Sequence, residues 1–301
     1  MNHAAPDSHL DPADWIPRRS ILYVPGANDR ALAKAGALDA DGWILDLQDA
    51  VAPAAKESAR AAVDRALGAG FPREVAVRVN ANGTPWYSAD LAVAAAADAV
   101  VLPMVGRAAD VAEASAALDR LGSSARLWLM VETPGAVLDL PALVGASDRV
   151  AVLVMGTNDL AAALRLPADD ARTGLVTSLA RTVLVARDTG CEVLDGVFGV
   201  LTDQQGLEAE CRHGRTLGFD GKTLIHPAQI AVANEVFGPS AAQVATARSL
   251  VSAWEDGAGG VIVHDGRIAE QLHVDAARRI LGVHAAAVSR KPSGTPAEAG
   301  G

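Results

Sequence analysis

The stretch "DGWILDLQDAVAPAAKESARAAVDRALGAG", residues 41–70, decides how the rest of the chain is read. Its first half is an apolar run that ends in acids; its second half is rich in alanine, has high helix propensity and closes on glycines. A buried strand that hands over through a polar turn to a helix is one βα unit. The same alternation recurs along the chain. The runs "SILYVPG", "EVAVRVN", "AVVLPMV", "RLWLMVETPG", "RVAVLVMGTNDL", "CEVLDGV" and "GKTLIHP" are bounded by Gly, Pro, Asn or Asp, with segments such as "RAADVAEASAALDRL" and "GLVTSLARTVLVARDTG" between them. Eight strands alternating with helices predict an α/β fold, a (β/α)8 TIM barrel, with an open doubly wound sheet as the lesser alternative.

Composition agrees with that reading. Of 301 residues 50% are hydrophobic but only 4% aromatic, so the core is built from Ala, Val and Leu. A net charge of −10 without a basic run argues against a nucleic-acid partner. No apolar run is long enough for a membrane span, and neither end reads as a signal peptide. Cys191 and Cys211 form no metal-site spacing and no disulfide framework, which points to a cytoplasmic protein with reduced thiols.

Barrel active sites form at the C-terminal ends of the strands, so the polar residues there are the candidates. They are Asp46, Asp49, Arg78, Asn80, Glu132, Asn158, Asp159, Asp195 and His226. Glu132 and Asp159, on adjacent strand ends, suit one hard divalent cation that keeps positions for water and substrate oxygens, as Mg²⁺ does. Equally, they fit solvated acids or helix caps. Arg78 in "VAVRVN" offers a fork for a substrate carboxylate, or a structural ion pair with Asp46 or Asp49; both can hold at once. Asp49 is placed to accept hydrogen bonds from metal-bound water. Tyr23, Pro25 and Gly26 in "YVPGAND" end strand 1 beside a loop whose backbone can approach a ligand.

Taken together, the motifs "RRSILYVPGANDR", "DGWILDLQDAVAPAAKESAR", "VAVRVN", "LMVETPGAV", "MGTNDLA", "GFDGKTLIHPAQI" and "DGRIAEQLHVDAARRIL" resemble the HpcH/HpaI aldolase and citrate lyase β-subunit superfamily, in its CitE-like acyl-CoA lyase branch. The resemblance implies a barrel assembled as a homotrimer or hexamer, Mg²⁺ held by Glu132 and Asp159, and a keto-acid or hydroxy-acid carboxylate gripped by Arg78. It implies a CoA channel along the strand-1 loop and the strand-8 region. Its substrates are 3-hydroxyacyl-CoA thioesters, cleaved to an acyl-CoA and a 2-keto acid such as pyruvate or glyoxylate.

Two departures stand out. "LDLQDAV" places neutral Gln48 where the family commonly has an acid. In "GGVIVHDGRIAEQLHV", residues 259–274, Glu270 occupies the position of an Asp that, in relatives, sits on a lid closing over a neighbouring subunit's active site. Gly257, Gly259 and Gly260 are the expected hinge. The expected organisation is therefore a loose tail over 1–14, the barrel over 15–240, a helix and lid segment over 241–285 and a loose tail over 286–301. The expected reaction is Mg²⁺-dependent cleavage of citramalyl-CoA, then malyl-CoA in order of preference, with Arg78, Asp49 and Glu270 catalytic. The alternatives are a class II aldolase on free 4-hydroxy-2-oxo acids, a carrier-protein-dependent citrate lyase subunit, and a silent binding protein.

Overall fold

A computed structural model describes residues 16–168, 170–257 and 260–289. The expected tail over 1–14, Gly259 of the expected hinge and positions 290–301 lie outside the described residues. Two compact units make up the chain: Arg18–Phe237, and a second that contains the described residues from Gly238 onward.

All eight expected strands form in the first unit. They are β1 (Ser20–Pro25), β2 (Gly42–Asp46), β3 (Glu74–Arg78), β4 (Ala99–Leu102), β5 (Arg126–Val131), β6 (Val150–Met155), β7 (Glu192–Asp195) and β8 (Gly221–Leu224). Each pairs in parallel with the next, and β1 pairs with β8, closing the barrel. The helices between them are α1 (Asp29–Ala35), α2 (Lys56–Ala69), α3 (Tyr87–Ala94), α4 (Ala108–Arg120), α5 (Pro134–Val144), α6 (Thr157–Ala163), α7 (Ala171–Thr189) and α8 (Gln204–Leu217), and α9 (Ile230–Phe237) ends the unit.

The period-2 alternation of each strand divides its side chains between two cores. Ile21, Ile44, Ala76, Val101, Trp128, Met130, Val152, Val154 and Leu194 fill the barrel interior, while Leu22, Leu45, Val77, Leu129 and Leu153 face the helices. At the N-terminal end Arg18 donates to Glu74 (2.7 and 2.8 Å) and Glu192 (2.7 Å) with its guanidinium 5.7 Å from the Trp128 ring centre. The barrel is thus filled and tied at that end, and its chemistry is left to the C-terminal mouth.

The second unit contains α10 (Ala241–Glu255), an antiparallel hairpin of β9 (Ile262–His264) and β10 (Arg267–Ala269), and α11 (Gln271–Ser289). Asp265 and Gly266 turn the hairpin with φ of 49° and 72°, the left-handed pair that a two-residue hairpin loop requires. His264 Nε2 lies 2.8 Å from Ser249 Oγ and ties the hairpin to α10. Helix α11 runs to Ser289, past the expected boundary at 285, because "HAAAVS" continues its alanine-rich pattern. Among the described residues no helix is long and apolar enough to cross a membrane.

Barrel closure depends on close backbone contact at Gly221, where a Cβ would lie 1.9 Å from the Arg18 carbonyl oxygen. Gly221→Ala is therefore expected to cost at least about 2 kcal/mol and to lower Tm by about 5 °C or more in a thermal melt.

Candidate active site

The β2–β3 register sets Asp46 directly beside Arg78, and alternation turns both inward. Arg78 donates from Nε to Asp46 Oδ1 (2.8 Å) and from Nη2 to Asp46 Oδ2 (2.7 Å). Its Nη1 lies 3.3 Å from Asp49 Oδ2 and 3.8 Å from Met130 Sδ, and its guanidinium sits 4.9 Å from the Tyr23 ring centre. Burial works against the charge, but the Asp46 hydrogen bonds and the fields of Tyr23, Asp46 and Asp49 outweigh it and raise the Arg78 pKa. Burial also holds the Tyr23 phenol in its neutral form. Asp46 accepts two further bonds, from the N–H groups of Gln48 (2.9 Å) and Ala50 (3.1 Å). With one edge of Arg78 bound to Asp46, its Nη1 side faces the exposed Asp49 carboxylate, whose place a ligand anion would take.

Glu132 follows the last residue of β5. Thr133 caps α5, accepting from Ala136 N–H (3.0 Å), and Pro134 opens the helix, so the strand ends abruptly and leaves the Glu132 carboxylate at the mouth. It is 2% exposed. Its Oε1 accepts from Met104 N–H at 2.5 Å, and Met104 adopts φ 52° to present that N–H. Gly156, just after β6, completes the cradle: a Cβ there would fall 2.3 Å from Glu132 Cβ and 2.5 Å from Oε2. Burial raises the Glu132 pKa to about 7, opposed by the Met104 bond and reinforced by the charge of Asp159 in the first turn of α6. A dry carboxylate facing a second carboxylate is relieved by a divalent cation. Among the described residues no group of three or more His, Cys, Asp or Glu could share such an ion. Two carboxylate donors with no nitrogen or sulfur suit Mg²⁺, which keeps water and substrate oxygens as its other ligands.

A cavity of about 420 Å³ opens between these corners, lined by Tyr23, Asp46, Asp49, Arg78, Asn158 and Asp159 among others. A second, of about 350 Å³, shares Tyr23, Pro25 and Ile225 with the first and continues past Asn28, Arg30 and Lys34 of the β1–α1 segment. The remaining sequence candidates go elsewhere. Gly26 donates its N–H to the Asp46 carbonyl (2.8 Å), where a Cβ would also lie 2.8 Å away, so its missing side chain lets β1 pack closely on β2. Asp195 turns away from the barrel interior into a buried cluster with Arg172 (2.8 Å) and Lys222 (3.1 Å). His226 caps the turn Pro227–Gln229. Asn80 is buried against Lys56, Asp90 and the Leu47 carbonyl. Glu270 is exposed, its backbone N–H donating to His273 Nδ1 at 3.1 Å. Met104, Gly156 and Lys56 were absent from the sequence candidates.

The mouth of this filled barrel thus carries two carboxylates at one corner and a paired arginine at the other. Residues 19–227 match the HpcH/HpaI aldolase/citrate lyase family, and the chain belongs to that family. It is 44% identical, over 88% of its length and 94% of the relative's, to a (3S)-malyl-CoA thioesterase of Cereibacter sphaeroides. It is 32% identical, over 88% of its length and 92% of the relative's, to the citrate lyase subunit beta of Escherichia coli. Among solved structures, CitE of Mycobacterium tuberculosis in complex with magnesium, acetoacetate and coenzyme A superposes with a TM-score of 0.71 at 29% identity, covering 89% of this chain and 97% of that one.

The metal-free protein should show the strain at Glu132. Its carboxyl titrates near 7 when folded against 4.5 ordinarily, so between those values the folded state holds a proton that the unfolded chain has released. Stability of the metal-free protein should therefore fall by about 2–4 kcal/mol as pH rises through that window. Glu132→Gln should remove this decline in denaturant titrations at pH 5 and 8. Mg²⁺ affinity should weaken about tenfold per pH unit below 7 in the wild type, measured by calorimetry.

Proposed function

We propose that this protein is a Mg²⁺-dependent acyl-CoA enzyme whose substrate is a 3-hydroxy-3-carboxyacyl-CoA thioester, and that it cleaves the C2–C3 bond to give a 2-keto acid and acetyl-CoA. The observation that carries this reading is that Arg78 and Asp159 line one cavity, with the buried Glu132 carboxylate coupled to Asp159. Malyl-CoA takes precedence over citramalyl-CoA as substrate, because the 44% identical relative is a (3S)-malyl-CoA thioesterase.

Arg78 neutralises the substrate carboxylate while Asp46 keeps its guanidinium from turning. Glu132 and Asp159 would hold the ion, which supplies the positive charge that makes the neighbouring hydroxyl acidic and steadies the carbonyl it becomes. Asp49, with its exposed carboxylate beside Arg78, is the acceptor for that hydroxyl proton. The electrons of the C2–C3 bond pass to the thioester as an enolate, which takes a proton at C2. Glu270 of a neighbouring subunit is the donor. Supporting a lid that acts in trans, Val263, Ile268 and Leu272 around the hairpin are 75%, 65% and 62% exposed, an apolar surface suited to cover by another chain of a homotrimer or hexamer. The second cavity fits the CoA moiety, with apolar walls for the pantetheine arm and Arg30 and Lys34 for phosphates.

A second reading, hydrolysis of the same thioester to malate and free CoA, is favoured by the activity of that same relative. Product analysis separates the two. With (3S)-malyl-CoA and Mg²⁺, the first reading predicts glyoxylate and acetyl-CoA without free thiol; hydrolysis gives free thiol and malate without glyoxylate. Arg78→Ala should lower either rate by about 10²-fold or more. No turnover of either kind contradicts the proposal.

A further inference from the structure

Lys56, the first residue of α2, is only 5% exposed. Its ammonium donates to the carbonyl oxygens of Leu47 (2.7 Å) and Gln48 (2.6 Å) and to Asn80 Oδ1 (2.7 Å), and it lies 5.3 Å from the Trp86 ring centre. All three N–H bonds thus end on neutral oxygens. Burial lowers the pKa of this amine, opposed by the more distant charges of Asp46, Asp90 and Asp49. Residue 48 adds no charge to offset the ammonium, and the Gln48 side-chain oxygen is itself buried without a hydrogen-bond partner.

Leu47 and Gln48 form the turn that joins Asp46 to Asp49. On its N–H side, Leu47 donates to the Arg78 carbonyl (2.9 Å) and Gln48 to Asp46 Oδ1 (2.9 Å). On its C=O side, both carbonyls accept from Lys56, and that of Gln48 also accepts from Val51 N–H (3.2 Å). Asn80 adds a second bond to the Leu47 carbonyl (2.9 Å) and is held by Asp90, which accepts from Asn80 N–H (3.0 Å) and from Arg60 (2.9 Å). The turn is therefore gripped from both sides, by the acid that orients Arg78 and by a buried cation.

We propose that Lys56 is a positioning residue for the substrate carboxylate: by holding both carbonyls of the Leu47–Gln48 turn it fixes Asp46, and through Asp46 the plane of the Arg78 guanidinium. This rests on the reading of Arg78 as the carboxylate grip. Lys56 touches no reacting atom, and its effect falls on the Arg78 corner and not on Glu132 or Asp159, which stand on the exits of β5 and β6.

The test is calorimetric titration of Mg²⁺ alone, and of pyruvate in the presence of Mg²⁺, into wild type, Arg78→Ala, Lys56→Met and Lys56→Arg. Lys56→Met should weaken pyruvate by about tenfold or more while leaving Mg²⁺ affinity within about twofold of wild type. Lys56→Arg should not rescue it, because a planar guanidinium cannot aim at three oxygens that converge on one nitrogen. A merely structural role would lower both affinities together, or lower Tm alone. Loss of pyruvate binding in Arg78→Ala with none in Lys56→Met overturns the proposal. If Arg78→Ala also binds pyruvate normally, the Arg78 reading fails and this inference falls with it. Should Lys56→Met not fold, Asn80→Ser removes one acceptor of the ammonium and one donor to Leu47; it should give the same split at about threefold, and unchanged pyruvate affinity there also overturns the proposal.

Discussion

The buried pair of Asp46 and Arg78 is the interaction on which the mouth of this barrel depends. Removing two charges from water costs several kcal/mol each, and only full hydrogen bonding brings such a pair near balance. Here that condition is met: Asp46 accepts two bonds from Arg78 and two from the backbone of the following turn. Loss of Arg78 would leave the buried Asp46 charge without its cation, and loss of Asp46 would leave Arg78 only its longer contact with the exposed Asp49. The pair is fixed by sheet register before any side chain chooses a rotamer, since the β2–β3 ladder sets the two residues opposite one another.

The opposite corner is built on contrary terms. Among the described residues Glu132 accepts one hydrogen bond, from a backbone N–H, and it has a like-charged neighbour. One side of the mouth pairs its arginine with two carboxylates, and the other sets two carboxylates together. A cation would complete the second corner, while an anion at the first would take the place of Asp49 beside Arg78 Nη1. An α-hydroxy acid, which offers a carboxylate and a chelating oxygen on adjacent carbons, spans that kind of divided site.

Much of this was legible in the sequence because alternation is a hard constraint. Once Ile44 and Ala76 are assigned to the barrel interior, Asp46 and Arg78 must follow them, and Trp128 and Met130 carry Glu132 to the same face. Applied to "CEVLDGV", the same count would have turned Asp195 outward, since Leu194 is the interior residue there. What stayed hidden has physical reasons. The bond from Met104 to Glu132 comes from a backbone N–H, which every residue but proline possesses. Gly156 reads as an ordinary strand-end glycine until the Glu132 carboxylate is seen to fill the space of its missing Cβ. Lys56 opens a helix rich in charges, and nothing in its spacing separates a buried ammonium from a solvated one. Glu270, by contrast, is singled out by the sequence and stands just before α11, after a hairpin whose turn residues are plain in "HDGR"; the role proposed for it in another subunit leaves no trace within one chain.

The most direct measurement is a crystal structure of the protein with Mg²⁺ and pyruvate. The account predicts the pyruvate carboxylate within about 3 Å of Arg78 Nη1, with the Asp46–Arg78 pair unbroken and the ion on Glu132 and Asp159. A carboxylate bound away from Arg78, or an Arg78 swung off Asp46 to reach it, would contradict it.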